Sequence, residues 1–177
     1  HTPGAGAQPQ IADLNGDGSP EVIIGNVVLN GQTGELVWDG LVTVGPTAGI
    51  GNNAFLGPNS TVANIDLVGG PEVIAGNTVY DGVTGAEIWT FEYTTNASTC
   101  QGRTPCDGFN AVANFDDDDE GEVVIIRQGE VFVLNHDGTL LHQVEVPWQD
   151  CSSSSGRRNE SGPPTVADFD GDGRPEI

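Results

Sequence analysis

Only five residues of this 177-residue chain are arginine or lysine, against 26 aspartates and glutamates, for a net charge of −21. So one-sided a charge argues against nucleic acids and anionic membranes as partners, since both are bound largely by cationic side chains. No apolar run approaches the ~20 residues of a membrane-spanning helix, and no helical periodicity lasts beyond a couple of turns. No signal peptide is visible; the chain opens at His1 in mid-sequence style, which points to processing or trimming. Methionine is absent and aromatic residues make up 6%. Histidine is confined to His1, His136 and His142, none at a Ser/His/Asp or metal–histidine spacing. An enzyme is therefore the less favoured reading, and no catalytic residue is assigned.

Cysteine is also scarce. Cys100 and Cys106 flank a short Gly/Pro-containing segment and suit a small disulfide loop. Cys151 is then left over, or pairs with one of them, or with a partner outside the chain.

What is abundant is glycine and acid, and both gather in one repeated nonapeptide. Asp13-Leu14-Asn15-Gly16-Asp17-Gly18-Ser19-Pro20-Glu21 has oxygen side chains at positions one, three, five and nine. Glycine at the sixth lets the chain turn back with φ > 0. Asp168, Asp170, Asp172 and Glu176 form the same set near the end of the chain. Asn114, Asp116, Asp118 and Glu122 form an altered set, in which Asp119 replaces the glycine; aspartate tolerates the left-handed region better than most residues. Asn64, Asp66 and Glu72 form a worn copy with Val68 at the central ligand position, expected to bind weakly or not at all. The seventh residue varies freely (Ser19, Gly70, Glu120, Arg174), as suits a residue that gives only its carbonyl oxygen.

Alternate carboxylates on a tight turn form a cup of oxygens, the donor set of a hard cation. Calcium accepts about 6–8 such ligands in flexible geometry, whereas magnesium keeps its waters. No histidine or cysteine enters any copy, which argues against zinc. An EF-hand is excluded because it needs an acid at position twelve, where the first and third copies have Ile24 and Ile125. The four loops hold 15 of the 26 acids. Without a counter-ion they repel themselves, so folding is expected to couple to calcium.

The loops begin at Asp13, Asn64, Asn114 and Asp168, a near-constant period of 50–54 residues. A period of this size marks a propeller or an array. The expected fold is all-β, in four-stranded blades, over one array from residue 1 to 177. Its units cover about 8–60, 61–110, 111–163 and an incomplete 164–177. Each unit reads as strand, metal loop, a continuous apolar strand, a third strand, a Gly/Asn turn and a fourth strand. In the fourth unit a first strand is expected at Pro164–Ala167. Trp38, Trp89 and Trp148 fall at or just after the ends of fourth strands, placed for blade packing or for stacking on sugars. Long connections at 40–60, 94–110 and 147–163 are either a binding face or solvated linkers. They carry the candidate glycosylation acceptors Asn59, Asn96 and Asn159.

The segments Ile11–Val22 and Val166–Ile177 resemble the FG-GAP/VCBS repeat family, which includes the blades of integrin α-subunit propellers. That resemblance implies a calcium loop between the first two strands of each blade and a secreted or cell-surface location. It implies adhesion, lectin-like recognition, or a place beside polysaccharide-degrading enzymes. Three and a fraction units do not close a ring that needs about 4–8 blades. The chain is therefore expected to be part of a larger propeller or to associate through open edges. The leading expectation is an extracellular calcium-binding adhesion or ligand-binding module, engaging a protein or a glycan. The alternatives are a self-assembling structural protein, whose partners are further copies of itself, and the propeller part of a secreted polysaccharide-active enzyme.

Overall fold

The computed structural model describes residues 6–52, 57–93, 106–145 and 162–177. Their strands form three four-stranded antiparallel sheets in consecutive order, none closed into a barrel. The first holds β1 (Gln10–Ala12), β2 (Glu21–Ile24), β3 (Val27–Asn30) and β4 (Leu36–Asp39). The second holds β5 (Thr61–Ala63), β6 (Glu72–Ala75), β7 (Thr78–Asp81) and β8 (Glu87–Thr90). The third holds β9 (Phe109–Ala113), β10 (Glu122–Arg127), β11 (Glu130–Leu134) and β12 (Leu140–Glu145). The arrangement is all-β, β-sandwich or propeller-like, with the edge strand β5 contacting the edge strands β1 and β9, the three inner strands.

The register repeats with the sequence. Val28 faces Trp38 and Val79 faces Trp89, and a bulge follows each pair at the same place. The third sheet has its bulge there too, but Val133 faces His142 instead of a tryptophan. The second sheet is covered on both faces, which is why Glu72-Val73-Ile74-Ala75 lacks a polar alternation. Successive side chains of a strand point to opposite faces. Val73, Ala75 and Tyr80 accordingly pack with Leu14, Ile23, Val28 and Trp38 of the first sheet. Ile74 and Val79 join Val123, Ile125, Phe132 and Leu134 of the third.

The fourth strand of one sheet is pinned to the turn of the next. Trp38 stacks on Tyr80 at 5.6 Å between ring centroids, and its Nε1 donates to the Gly82 carbonyl at 2.9 Å. Trp89 Nε1 donates to the His136 carbonyl at 2.7 Å. These two tryptophans therefore serve packing and are not presented to sugars; Trp148 lies outside the described residues.

The first connection is not a solvated linker. It opens with one helical turn, α1 (Gly40–Thr43), capped by Asp39. Its next residues then tuck beneath the second and third sheets. Gly49 N donates to Thr78 Oγ1 at 2.9 Å, and Tyr80 Oη donates to the Gly49 carbonyl at 2.6 Å. The buried Asp107 accepts from Ile50 N and Asn52 N. In the fourth unit the expected strand at Pro164–Ala167 is reduced to one bridge between Ala167 and Glu176, with no further strand beside it among the described residues.

Candidate metal loops

Each of the first three loops leaves an inner strand and ends on the glutamate that begins the buried strand, and the fourth ends on Glu176. That glutamate is tied in the same way in every copy. Its Oε2 accepts from the second residue of the loop: Leu14 N at 2.9 Å, Ile65 N at 2.8 Å, Phe115 N, and Phe169 N at 2.7 Å. One oxygen is thus committed to the backbone, leaving the other to turn toward a bound ion. In the third loop that second oxygen, Glu122 Oε1, is buried and has no partner. An acceptor left bare in a side chain 0% exposed is costly unless something fills the gap. A cation is the group that fits.

The first and fourth loops share one hydrogen-bond pattern, although of the two only the fourth gathers its carboxylates within 4.8 Å of one another. Asp13 Oδ1 accepts from Gly16 N at 2.8 Å and Asp17 N at 3.1 Å, and its Oδ2 accepts from Gly18 N at 2.8 Å. Asp168 repeats this with Gly171, Asp172 and Gly173 at 2.6, 3.1 and 2.9 Å. Asn15 and Asp170 each accept from the amide two residues on, as do Asp17 and Asp172, which take Ser19 N and Arg174 N. The turn is therefore held in shape by the side chains expected to face the ion. Asp168, Asp170, Asp172 and Glu176 bring one oxygen each within 4.8 Å of the others.

The third loop departs from this pattern. The left-handed aspartate expected at its sixth position is not found: neither Asp117 nor Asp119 has a positive φ, whereas Gly16, Gly18, Gly171 and Gly173 all do. Asn114 does not gather amides; its Nδ2 donates to the Asp118 carbonyl. Asp116, Asp118 and Glu122 still converge within 4.8 Å. Partial desolvation, reinforced by the charges of Asp116 and Glu120, raises the Asp118 carboxyl above its ordinary range. Burial raises Glu122, against the opposing Phe115 N–H. In the worn second loop the chain turns through Leu67 at φ 57°, and Val68 is exposed where a ligand should stand. Asp66 accepts from Val68 N at 2.8 Å, Asn64 Oδ1 is bare, and Glu72 is raised chiefly by burial.

The side chains of Glu120 and Arg174, at the seventh position, lie outside their own acidic cups. Arg174 pairs with Asp117 of the preceding loop at 2.8 Å, and Glu120 lies with His136 and Asp118 in a second group that shares Asp118 with the cup. Ser19 Oγ accepts from Gln32 Nε2 at 2.8 Å. His136 carried no assignment in the sequence. The shortened Asn135–Gly138 turn was legible there, but its proximity to the third loop was not.

A recess of about 370 Å³ opens on the inner strands, lined by Gln8, Gln10, Asn59, Ser60, Thr61 and Asn110 among others. Its polar lining is amide and hydroxyl, without charge. Ser60 is buried there with its hydroxyl unpartnered. Asn59 is 9% exposed and faces the same recess, contrary to the expectation of an accessible glycan acceptor. Asn96 and Asn159 lie outside the described residues. Cys106 is buried and disulfide-bonded. No disulfide joins two described residues, since Cys100 and Cys151 lie outside them.

No family model matches the chain, and no curated protein matches it. Solved structures do. The biofilm matrix protein Bap1 of V. cholerae is similar over 78% of this chain, at 24% identity and a TM-score of 0.57. The rhamnogalacturonan lyase YesW is similar over 77%, at 17% identity and a TM-score of 0.53. A Bacillus licheniformis rhamnogalacturonan lyase is similar over 77%, at 18% identity and a TM-score of 0.52. The chain spans about a fifth of the length of each. At these identities the likeness is one of fold.

Proposed function

We propose that this chain is a calcium-stiffened sector of an extracellular β-propeller of the FG-GAP/VCBS type, serving as a ligand-binding module for polysaccharide. The observation that carries the calcium reading is the bare, buried Glu122 Oε1 in a cup of carboxylates. The first, third and fourth loops each supply four side chains that offer oxygen, the donor set calcium prefers. Bound there, calcium would neutralise crowded carboxylates and lock the first strand of each blade to the second. A biofilm matrix protein of like fold supports an extracellular setting.

The recess supports the ligand class. Uncharged amides and hydroxyls at the inner strands suit a neutral, polyhydroxylated chain. The net charge of −21 disfavours an acidic polymer, except where calcium bridges the two. Two lyases of like fold favour a second reading, in which the sector belongs to a polysaccharide-active enzyme. Affinity electrophoresis of the full chain in gels holding neutral polysaccharides or rhamnogalacturonan, with calcium and with chelator, tests these readings. Calcium-dependent retardation by a neutral polymer, reduced by Gln10→Ala, is expected. Retardation and cleavage of rhamnogalacturonan would favour the second reading, and no retardation by any polymer would overturn the ligand class.

A further inference from the structure

We propose that the third loop is a two-ion centre, in which a borderline divalent cation of the zinc class binds Asp118, Glu120 and His136 beside the calcium cup. Asp118 is shared: it groups with Asp116 and Glu122 on one side and with Glu120 and His136 on the other, each group within 4.8 Å. The combined cluster contains two bare buried atoms, Glu122 Oε1 and His136 Nδ1.

The other repeats show why His136 is unusual. Trp38 Nε1 donates to the Gly82 carbonyl and Trp89 Nε1 to that of His136, so His136 occupies the turn position that is Gly82 in the second unit and Gly31 in the first. Glycine is enforced in those two units. A Cβ on Gly31 would lie 2.1 Å from the Pro20 carbonyl oxygen, and a Cβ on Gly82 the same distance from that of Pro71. Both prolines are the eighth residue of the metal loop, so this turn position presses directly on the loop. In the third unit the proline is replaced by Gly121, and a histidine stands in the turn.

The neighbouring turn–loop contact differs in each unit. In the first, Gln32 donates to Ser19, the seventh loop residue. In the second, Val83 and Gly70 offer no polar side chain there. In the third, Glu120 is the seventh residue, and it meets His136 and Asp118 without a hydrogen bond or ion pair from the imidazole among the described residues. Backbone contacts hold the histidine in place: its N–H donates to Asn135 Oδ1 at 2.7 Å, and its carbonyl receives Trp89.

One imidazole and two carboxylates form a donor set that calcium does not select and zinc-class ions do. With metal–ligand bonds near 2.1 Å, the donor atoms of a tetrahedral site lie about 3.4 Å apart. The present group, within 4.8 Å, is looser than that spacing, and a bound ion would draw it together. Three protein ligands leave a fourth position for water or for an oxygen of a ligand. The calcium reading is a neighbour to this site through Asp118, and the second ion does not require it.

The test titrates the calcium-saturated full chain with cobalt(II), followed by visible absorption, and with zinc by calorimetry, while bound calcium is assayed in parallel. Wild type is expected to take up cobalt with nitrogen–oxygen ligand-field bands and to keep its calcium. His136→Gln and Glu120→Gln should each weaken that uptake at least about tenfold. His136→Gly, which restores the residue of the other units, should do the same while keeping the turn. His142→Gln should change nothing. Unchanged cobalt affinity in both His136 variants would overturn the proposal, as would one-for-one release of calcium, which means a single site. A chain that binds cobalt through His136 but holds no calcium would uphold this site and refute the calcium reading.

Discussion

Gly85→Ala is the sharpest probe of how one sheet is fastened to the next, because the same chain contains its control. Gly85 and Gly34 occupy the same place in successive turns, with φ of +68° and +73°. An alanine in the left-handed region costs about 1–2 kcal/mol at either site. The surroundings differ. Nothing lies within 4 Å of a Cβ built on Gly34, whereas one on Gly85 meets the Trp38 ring at 2.5–2.8 Å. That ring is buried, stacks on Tyr80 and donates to Gly82, so it has no room to retreat without losing both contacts. Overpacking of a well-filled site costs about 1–3 kcal/mol, a lost hydrogen bond about 1 kcal/mol, and an aromatic pair about 0.5–1.5 kcal/mol. Some of these losses overlap, since a shifted ring relieves the clash. The expected excess of Gly85→Ala over Gly34→Ala is about 2–3 kcal/mol. Urea unfolding in saturating calcium, followed by tryptophan fluorescence and by circular dichroism, reads it. Equal destabilisation of the two variants, within about 0.5 kcal/mol, would refute the claim that Trp38 fastens the first sheet to the second.

Three further outcomes follow from buried polar groups and from the worn loop. Burial pushes Asp107 up to about 6, against the opposing N–H groups of Ile50 and Asn52. A folded value above the unfolded value of about 3.9 means that its contribution is full below about pH 4 and is lost as pH rises through about 6. The stability difference between wild type and Asp107→Asn should therefore shrink over pH 4 to 6.5 by on the order of 2 kcal/mol, read by denaturant unfolding; a flat difference contradicts it. Asn110 is buried and binds both backbone groups of Gly76, accepting at 2.7 Å and donating at 2.6 Å. Asn110→Ala should cost about 2–4 kcal/mol by the same assay, and a loss under about 0.5 kcal/mol would show that the pair is dispensable. Val68 is exposed at the ligand position missing from the second loop, so Val68→Asp should add a calcium site, seen as extra heat in calorimetric titration, with no loss of fold.

Much of this architecture was legible because the repeat is local and explicit. The strands Gln10–Ala12, Glu21–Ile24, Thr61–Ala63, Glu72–Ala75, Glu122–Arg127 and Glu130–Leu134 fall where apolar runs and loop signals place them. The pattern Val73-Ile74-Ala75 announces a strand covered on both faces, and the two hydrophobic clusters show what covers it. Less visible was everything that depends on the neighbouring unit. Trp38 reads as packing, with a sugar platform as the alternative, until Gly82 and Tyr80 are seen against it. Residues 45–52 read as binding face or solvated linker, although amides among them are spent on Thr78 and Asp107. Asp119 looked like a glycine substitute, but the third loop takes a path that needs no left-handed residue. His136 and Glu120 are 16 positions apart, and no spacing rule joins a turn to a loop across an intervening hairpin.

Calcium is the central claim, and its stoichiometry tests that claim most directly. The chain, freed of metal by chelator and dialysed, is titrated with calcium by calorimetry while thermal unfolding is recorded in parallel. The account predicts one ion in each of the first, third and fourth loops, none in the second, and a melting temperature that climbs with free calcium as linkage requires. Loss of one site in each of Asp17→Ala, Glu122→Gln and Asp172→Ala would assign them. A titration without heat and a melting temperature indifferent to calcium and chelator would contradict it, leaving the acidic loops as turns held by their own hydrogen bonds.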